Sequence, residues 1–168
     1  QEGVAWDWRW QPYPGVWLFI LLLVTLYIRV VRRPLKASGG VRIKNDLLVA
    51  GGIFSLWLAL DWPIGPLGAG FLAGVHMVQY LLIGVIAPAL LLLGIQEEAW
   101  QRLSARAENS RLLNFITFPF LTVAIFVAVA VVTHLPGVVD SVMLTQWGSF
   151  GLDMAWFIAG LLFWWPVV

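Results

Sequence analysis

From Phe71 to Leu93 the chain runs without a single Lys, Arg, Asp or Glu, and no other feature constrains its fold as strongly. Crossing the hydrocarbon core of a bilayer, roughly 30 Å thick, takes about 20 apolar residues in a helix rising about 1.5 Å per residue. The run lacks the polar–apolar alternation of a barrel strand, and a helix satisfies its own backbone groups in lipid. Four more stretches have the same character, so spans are expected at roughly residues 15–31, 47–62, 71–94, 115–133 and 148–168. With 61% hydrophobic and 11% charged residues, the chain is composed as an integral membrane protein and not as a soluble domain. The expected fold class is an all-α, polytopic transmembrane bundle of about five helices, with residues 1–168 forming one domain.

Lys and Arg set the expected orientation. Arg29, Arg32, Arg33, Lys36, Arg42 and Lys44 surround the first loop, Arg102, Arg106 and Arg111 lie in the third, and Arg9 alone falls on the other side. The N-terminus is therefore expected outside. Residues 1–14 lack the pattern of a signal peptide and Gln1 is not an initiator, so the start is expected to be trimmed or processed. The outer segments "WDWRWQPYPG", "LDWPIGPLG" and "THLPGVVDSVMLTQWG" are rich in Trp, which reads as an interfacial belt. "RRPLKASGGVRIK" combines breakers with positive charge suited to anionic lipid. Residues 97–112 are expected to form an interfacial helix, with Trp100, Leu103 and Ala107 on one side and Glu98 four residues before Arg102. Gly51 with Gly52, Gly70 with Gly74, and Gly148 with Gly151 are expected to let helices approach closely near their ends. Pro88 is expected to kink the third span.

His76 sits inside that third span. An ionisable side chain at such depth is costly unless it faces the bundle and finds a partner, which makes it a functional candidate. Gln79 and Tyr80 share its helix face, and the topology brings Asp61, His134 and Asp153 to the same level. With no cysteine in the chain, the available soft or borderline metal donors are imidazole and thioether. His76, His134, Met77, Met143 and Met154 can together compose a Cu(I) site. The plainer alternative is a satisfied interhelical hydrogen bond from His76 to Gln79, Tyr80, Asp61 or Asp153, worth about 1 kcal/mol. No phosphate-binding loop, carboxylate pair or Ser/His/Asp pattern is present in the sequence, so neither catalysis nor nucleic-acid binding is expected.

The order of motifs carries a resemblance. "LDWPIGPLGAGFLAGVHMVQYLLIGVIAPALLLLG", then "FPFLTVAIFVAVAVVTHLPGVVDSVM" and finally "FIAGLLFWWPVV" resemble the CtaG family of cytochrome c oxidase assembly factors. The most specific parts are "HMVQ" and "APALLLLG" in one helix, "HLP" at the end of the next, and the terminal "FWWP". The resemblance implies a bacterial inner-membrane protein that assists copper-dependent maturation of haem-copper oxidases, particularly the caa3 type. It also implies further helices beyond the "WWP" stretch, so that either a C-terminal part of the fold lies outside this chain or the chain is a shortened relative.

Departures from the family pattern bear on the copper role. His76 and His134 match the family's histidines and Asp61 its acidic outer-loop position, but the histidine one turn after His76 is replaced by Tyr80. Where the family commonly shows "HxxEH", this chain has Phe150, Asp153 and Met154. A Cu(I) site can persist on His and Met donors, because thioethers are soft ligands. The assembly-factor reading, with a haem-copper oxidase and membrane lipid as partners, is placed first. Next comes an accessory transmembrane subunit of a respiratory or photosynthetic complex that has lost the metal role. Small-molecule or proton transport, suggested by His76 and Asp153 alone, is third.

Overall fold

The computed structural model describes residues 8–10, 13–37, 40, 42–70, 72–108, 110–143 and 145–168. Helix α1 runs continuously over Pro14–Lys36. Pro14 opens it, a position where the missing N–H is no loss. It passes the expected end near residue 31, and within it Tyr27–Arg32 winds in π form, with the Arg33 N–H reaching back to the Ile28 carbonyl. Exposed Arg and Lys side chains on this last stretch can carry their charges to the membrane surface.

Helix α2, Ile43–Leu60, begins four residues before the expected 47 and stops at Leu60, short of Trp62. The cause of the early stop is local: Asp61 is extended, and Pro63 disfavours a helical Trp62. A short helix, α3, Ile64–Gly70, leads to α4, Ala73–Leu93. Within α4, Leu82–Ile86 is a second π stretch, and the Ala87 N–H donates to the Leu82 carbonyl. This is how the helix accommodates Pro88, which cannot donate to the carbonyl of Gly84.

Two elements replace the single interfacial helix expected over 97–112: α5, Glu97–Glu108, and α6, Arg111–Ile116. The intervening Asn-Ser pair of the sequence favours caps and turns over helix interior. Ala99 of α5 is buried against Val31 and Leu35 of α1, and Trp100 packs on Trp165 with ring centroids 4.7 Å apart. Glu98 pairs with Arg42 across the two basic loops at 3.7 Å and not with Arg102. Ala107 lies outside the described side chains.

The fourth span differs most from expectation. Helix α7, Pro119–Thr133, starts four residues later than expected, after an extended Phe118 imposed by Pro119. It is followed by α8, Pro136–Val142, bent from it by 72°. Helix α9, Gln146–Trp164, is capped by Thr145, whose hydroxyl accepts from the Gly148 N–H at 3.0 Å. By length and composition four helices among the described residues can cross a membrane, and five if the bent pair α7–α8 is one broken span and not a re-entrant loop.

Packing centres on α4, with α2 along its C-terminal half and α9 beside both its π stretch and that half; α7 covers α9, and α1 lies on α2. Leu56, Ala59, Ile83 and Ala87 are fully enclosed, with Tyr80, Trp156 and Phe157 beside them. Helices α4 and α9 meet at glycines. A Cβ on Gly84 would lie 2.8 Å from the Trp156 ring, and one on Gly160 would run into the Gly84 carbonyl group. Of the glycines expected to mediate contacts, Gly51 and Gly52 do so against Leu90 and Leu91 of α4, and Gly70 lies outside the described side chains. Gly74 and Gly151 face open space, and Gly148 abuts the Val142 carbonyl before its own helix. Small residues matter where helix interiors cross, and also at the C-cap of α4, where a Cβ on Gly94 would lie 2.9 Å from the Val49 nitrogen of α2.

Candidate functional site

The end of the bundle away from the basic loops gathers most of the polar residues singled out in the sequence. His76 and Tyr80 stand one turn apart on α4, so their rings meet, with centroids 4.3 Å apart and planes at 70°. Tyr80 is buried and stacks on Trp156 of α9 at 4.5 Å. His134, the residue closing α7, completes the cluster at 5.7 Å from Tyr80, 6.1 Å from Trp156 and 6.4 Å from His76.

Hydrogen bonds hold these rings in place. Trp156 Nε1 donates to Thr133 Oγ1 at 3.0 Å, and the Thr133 hydroxyl donates back to the Val129 carbonyl at 2.7 Å. His134 Nδ1 lies 2.7 Å from the Ala130 carbonyl. A carbonyl only accepts, so the bond assigns the proton of the neutral ring to Nδ1 and leaves the Nε2 lone pair free. Replacing Thr133 with Val is expected to strand the buried indole N–H and lower stability by about 1–2 kcal/mol. Thermal unfolding in detergent checks this, and an unchanged midpoint would show that the bond is dispensable.

Several buried polar atoms here have no hydrogen-bond partner at ordinary distance among the described residues: His76 Nδ1, Gln79 Oε1 and both Asp61 carboxylate oxygens, although the Gln79 side chain stands beside His76 as a hydrogen-bonding neighbour. Burial of such groups without a partner is expensive, and water or a ligand normally relieves it. Asp61, 1% exposed, closes α2 near Tyr13, whose phenol is pushed above its ordinary range by burial and then by the Asp61 charge. Alongside lies a cavity of about 710 Å³ whose wall includes Tyr13, His76, Gln79, Met143, Phe150 and Asp153.

The structure thus joins His76, Gln79, Met143 and Asp153 on one cavity and links His134 and Tyr80 to them through ring contacts. Other candidates stand apart. Met77 is 52% exposed, because it follows His76 directly on α4 and faces away from the bundle. Met154 packs against the core and is absent from the cavity wall. Trp156 and Thr133 were not singled out in the sequence; the available clue was a Trp in mid-span, away from any interfacial belt.

Among the described residues no group of three or more His, Asp or Glu is placed to hold a metal. His76 and His134 are the two imidazoles, and the Met143 thioether lies on the same cavity as His76. A metal bridging two imidazoles at about 2 Å from each nitrogen puts their centroids roughly 6 Å apart, close to the 6.4 Å between His76 and His134. With His76 Nδ1 unpartnered and the His134 Nδ1 turned to the Ala130 carbonyl, the two imidazoles fall short of the four donors of a tetrahedral ion such as Zn²⁺.

A sequence model of the family described as cytochrome c oxidase caa3 assembly factor matches residues 15–168. No curated protein and no solved structure matches the chain.

Proposed function

Because the chain belongs to the cytochrome c oxidase caa3 assembly factor family over nearly its whole length, we propose that it assists maturation of a haem-copper oxidase in the bacterial inner membrane by carrying Cu(I). The observation that supports this reading is the approach of His76 and His134 to 6.4 Å beside unpartnered buried polar atoms. Cu(I) is here the cargo. His134 offers Nε2 because the Ala130 carbonyl occupies its other nitrogen, and His76 offers its ring from α4. The Tyr80–Trp156 stack backs both rings and keeps them from turning into the core. A site with two imidazoles binds less tightly than a closed set of ligands, which suits release to an acceptor.

The lack of a third His, Asp or Glu donor beside His76 and His134 among the described residues favours a second reading, an accessory subunit retained by a larger complex after losing the metal role. One experiment separates the two. Cells lacking the chain are complemented with wild type, His76→Ala, His134→Ala or the double variant, and copper per oxidase is measured together with chain abundance. The cargo role expects normal abundance of the double variant and severalfold less copper in the oxidase. Full copper occupancy, with the chain recovered in equimolar amount with the mature complex, would replace it by the subunit reading.

A further inference from the structure

A second cavity, of about 690 Å³, runs between α1 and α2 toward the basic end of the bundle. Its walls are apolar, with Trp17, Ile20 and Val24 on one side and Ala50, Ile53 and Trp57 on the other. The Trp17 and Trp57 rings meet edge to face, 5.9 Å apart. Near its basic end the wall is polar: Arg32 and Asp46 both line it and pair at 3.3 Å, while the Tyr27 hydroxyl donates to the other Asp46 oxygen at 2.6 Å.

We propose that this groove is a binding site for an anionic phospholipid, with an acyl chain between α1 and α2 and the phosphate on Arg32. Charge argues for the headgroup. Asp46 is already engaged by Arg32 and Tyr27, so it holds the guanidinium at the mouth; that side chain remains 51% exposed, and a guanidinium has five N–H donors to share. Around it stand Arg29, Arg33, Lys36 and Lys44, none of them in an ion pair among the described residues, and such a cluster attracts anionic headgroups.

Size argues for the chain. From Trp17 to Arg32 the groove follows α1 for about 22 Å at 1.5 Å per residue, a length that an extended acyl chain can follow. Its volume of about 690 Å³ has room for such a chain along the apolar walls.

The test uses the full chain in nanodiscs containing phosphatidylglycerol, phosphatidylcholine or an equal mixture, followed by native mass spectrometry of retained lipid. Wild type is expected to keep about one phosphatidylglycerol and to prefer it about tenfold over phosphatidylcholine. Ala50→Trp, which fills the groove, is expected to lose retention, and Ala50→Leu serves if the larger variant does not fold. Arg32→Lys keeps a charge for Asp46 but lacks the planar fork, and is expected to retain lipid with most of the preference gone. Equal retention of both lipids by wild type, retention unaffected by the Ala50 variants, or a polypeptide recovered in place of lipid would each overturn the proposal.

Discussion

Gly160→Val is expected to destabilise the bundle by about 3 kcal/mol or more, at the upper end of overpacking costs. Overpacking is usually limited by side chains moving aside. At this position the obstacle is backbone, since the added Cβ would run into the Gly84 carbonyl and approach Pro88 Cγ to 2.8 Å. Gly84 lies in the π stretch that accommodates Pro88, so it cannot retreat without rewinding α4. Gly84 also meets the Trp156 ring, and any separation of α4 from α9 would therefore open the Tyr80–Trp156 stack. Gly151→Val on the same helix is the control: nothing lies within 4 Å of its Cβ position, and its effect is expected within about 0.5 kcal/mol. Denaturant or steric-trap unfolding in detergent compares them. Equal stabilities would mean that α4 and α9 do not approach as closely as described.

Trp156→Ala is expected to be comparably damaging, by roughly 3–5 kcal/mol, and to damage the site as well. The indole is 8% exposed, stacks on Tyr80, touches the edge of Phe126 at 5.6 Å and donates to Thr133. Between helices in lipid these contacts matter through packing, because the surrounding chains are as apolar as the core. Loss of the ring removes the backing of Tyr80, and with it the orientation of His76. Cu(I) affinity, measured by competition with a chromophoric chelator, is therefore expected to fall about 10- to 100-fold, the usual cost of removing an outer support. Trp156→Phe keeps a ring and loses the hydrogen bond, so it is expected to cost about 1 kcal/mol and to retain most of the affinity. Unchanged Cu(I) affinity in the alanine variant would detach the aromatic stack from the metal reading.

How much of this was legible in the chain depended on the range of the interaction. Uninterrupted apolar runs are local and strong, so the helices and their approximate order followed from them. Their ends did not, because proline acts on its neighbours: Pro63 and Pro119 each moved a boundary, and Pro88 altered the winding of α4 without breaking it. The gathering of His76, Gln79 and Asp153 at one end followed from counting crossings. Which atoms touch did not, since Met77 and His76 are adjacent in sequence yet face different ways. The pairing of Gly84 with Gly160, like that of Trp156 with Thr133, exists only once α4, α7 and α9 are packed, and no spacing along one helix announces it.

Helix α7 has 15 residues, about 22 Å at 1.5 Å per residue, against a hydrocarbon core of roughly 30 Å. Hydrophobic mismatch of that sign draws the bilayer thinner around the short element. If α7 crosses by itself, such thinning places the turn into α8, and His134 within it, nearer the aqueous phase. On the Cu(I) cargo reading, the path of a hydrophilic donor to that histidine is then expected to be shorter than the full thickness of the membrane.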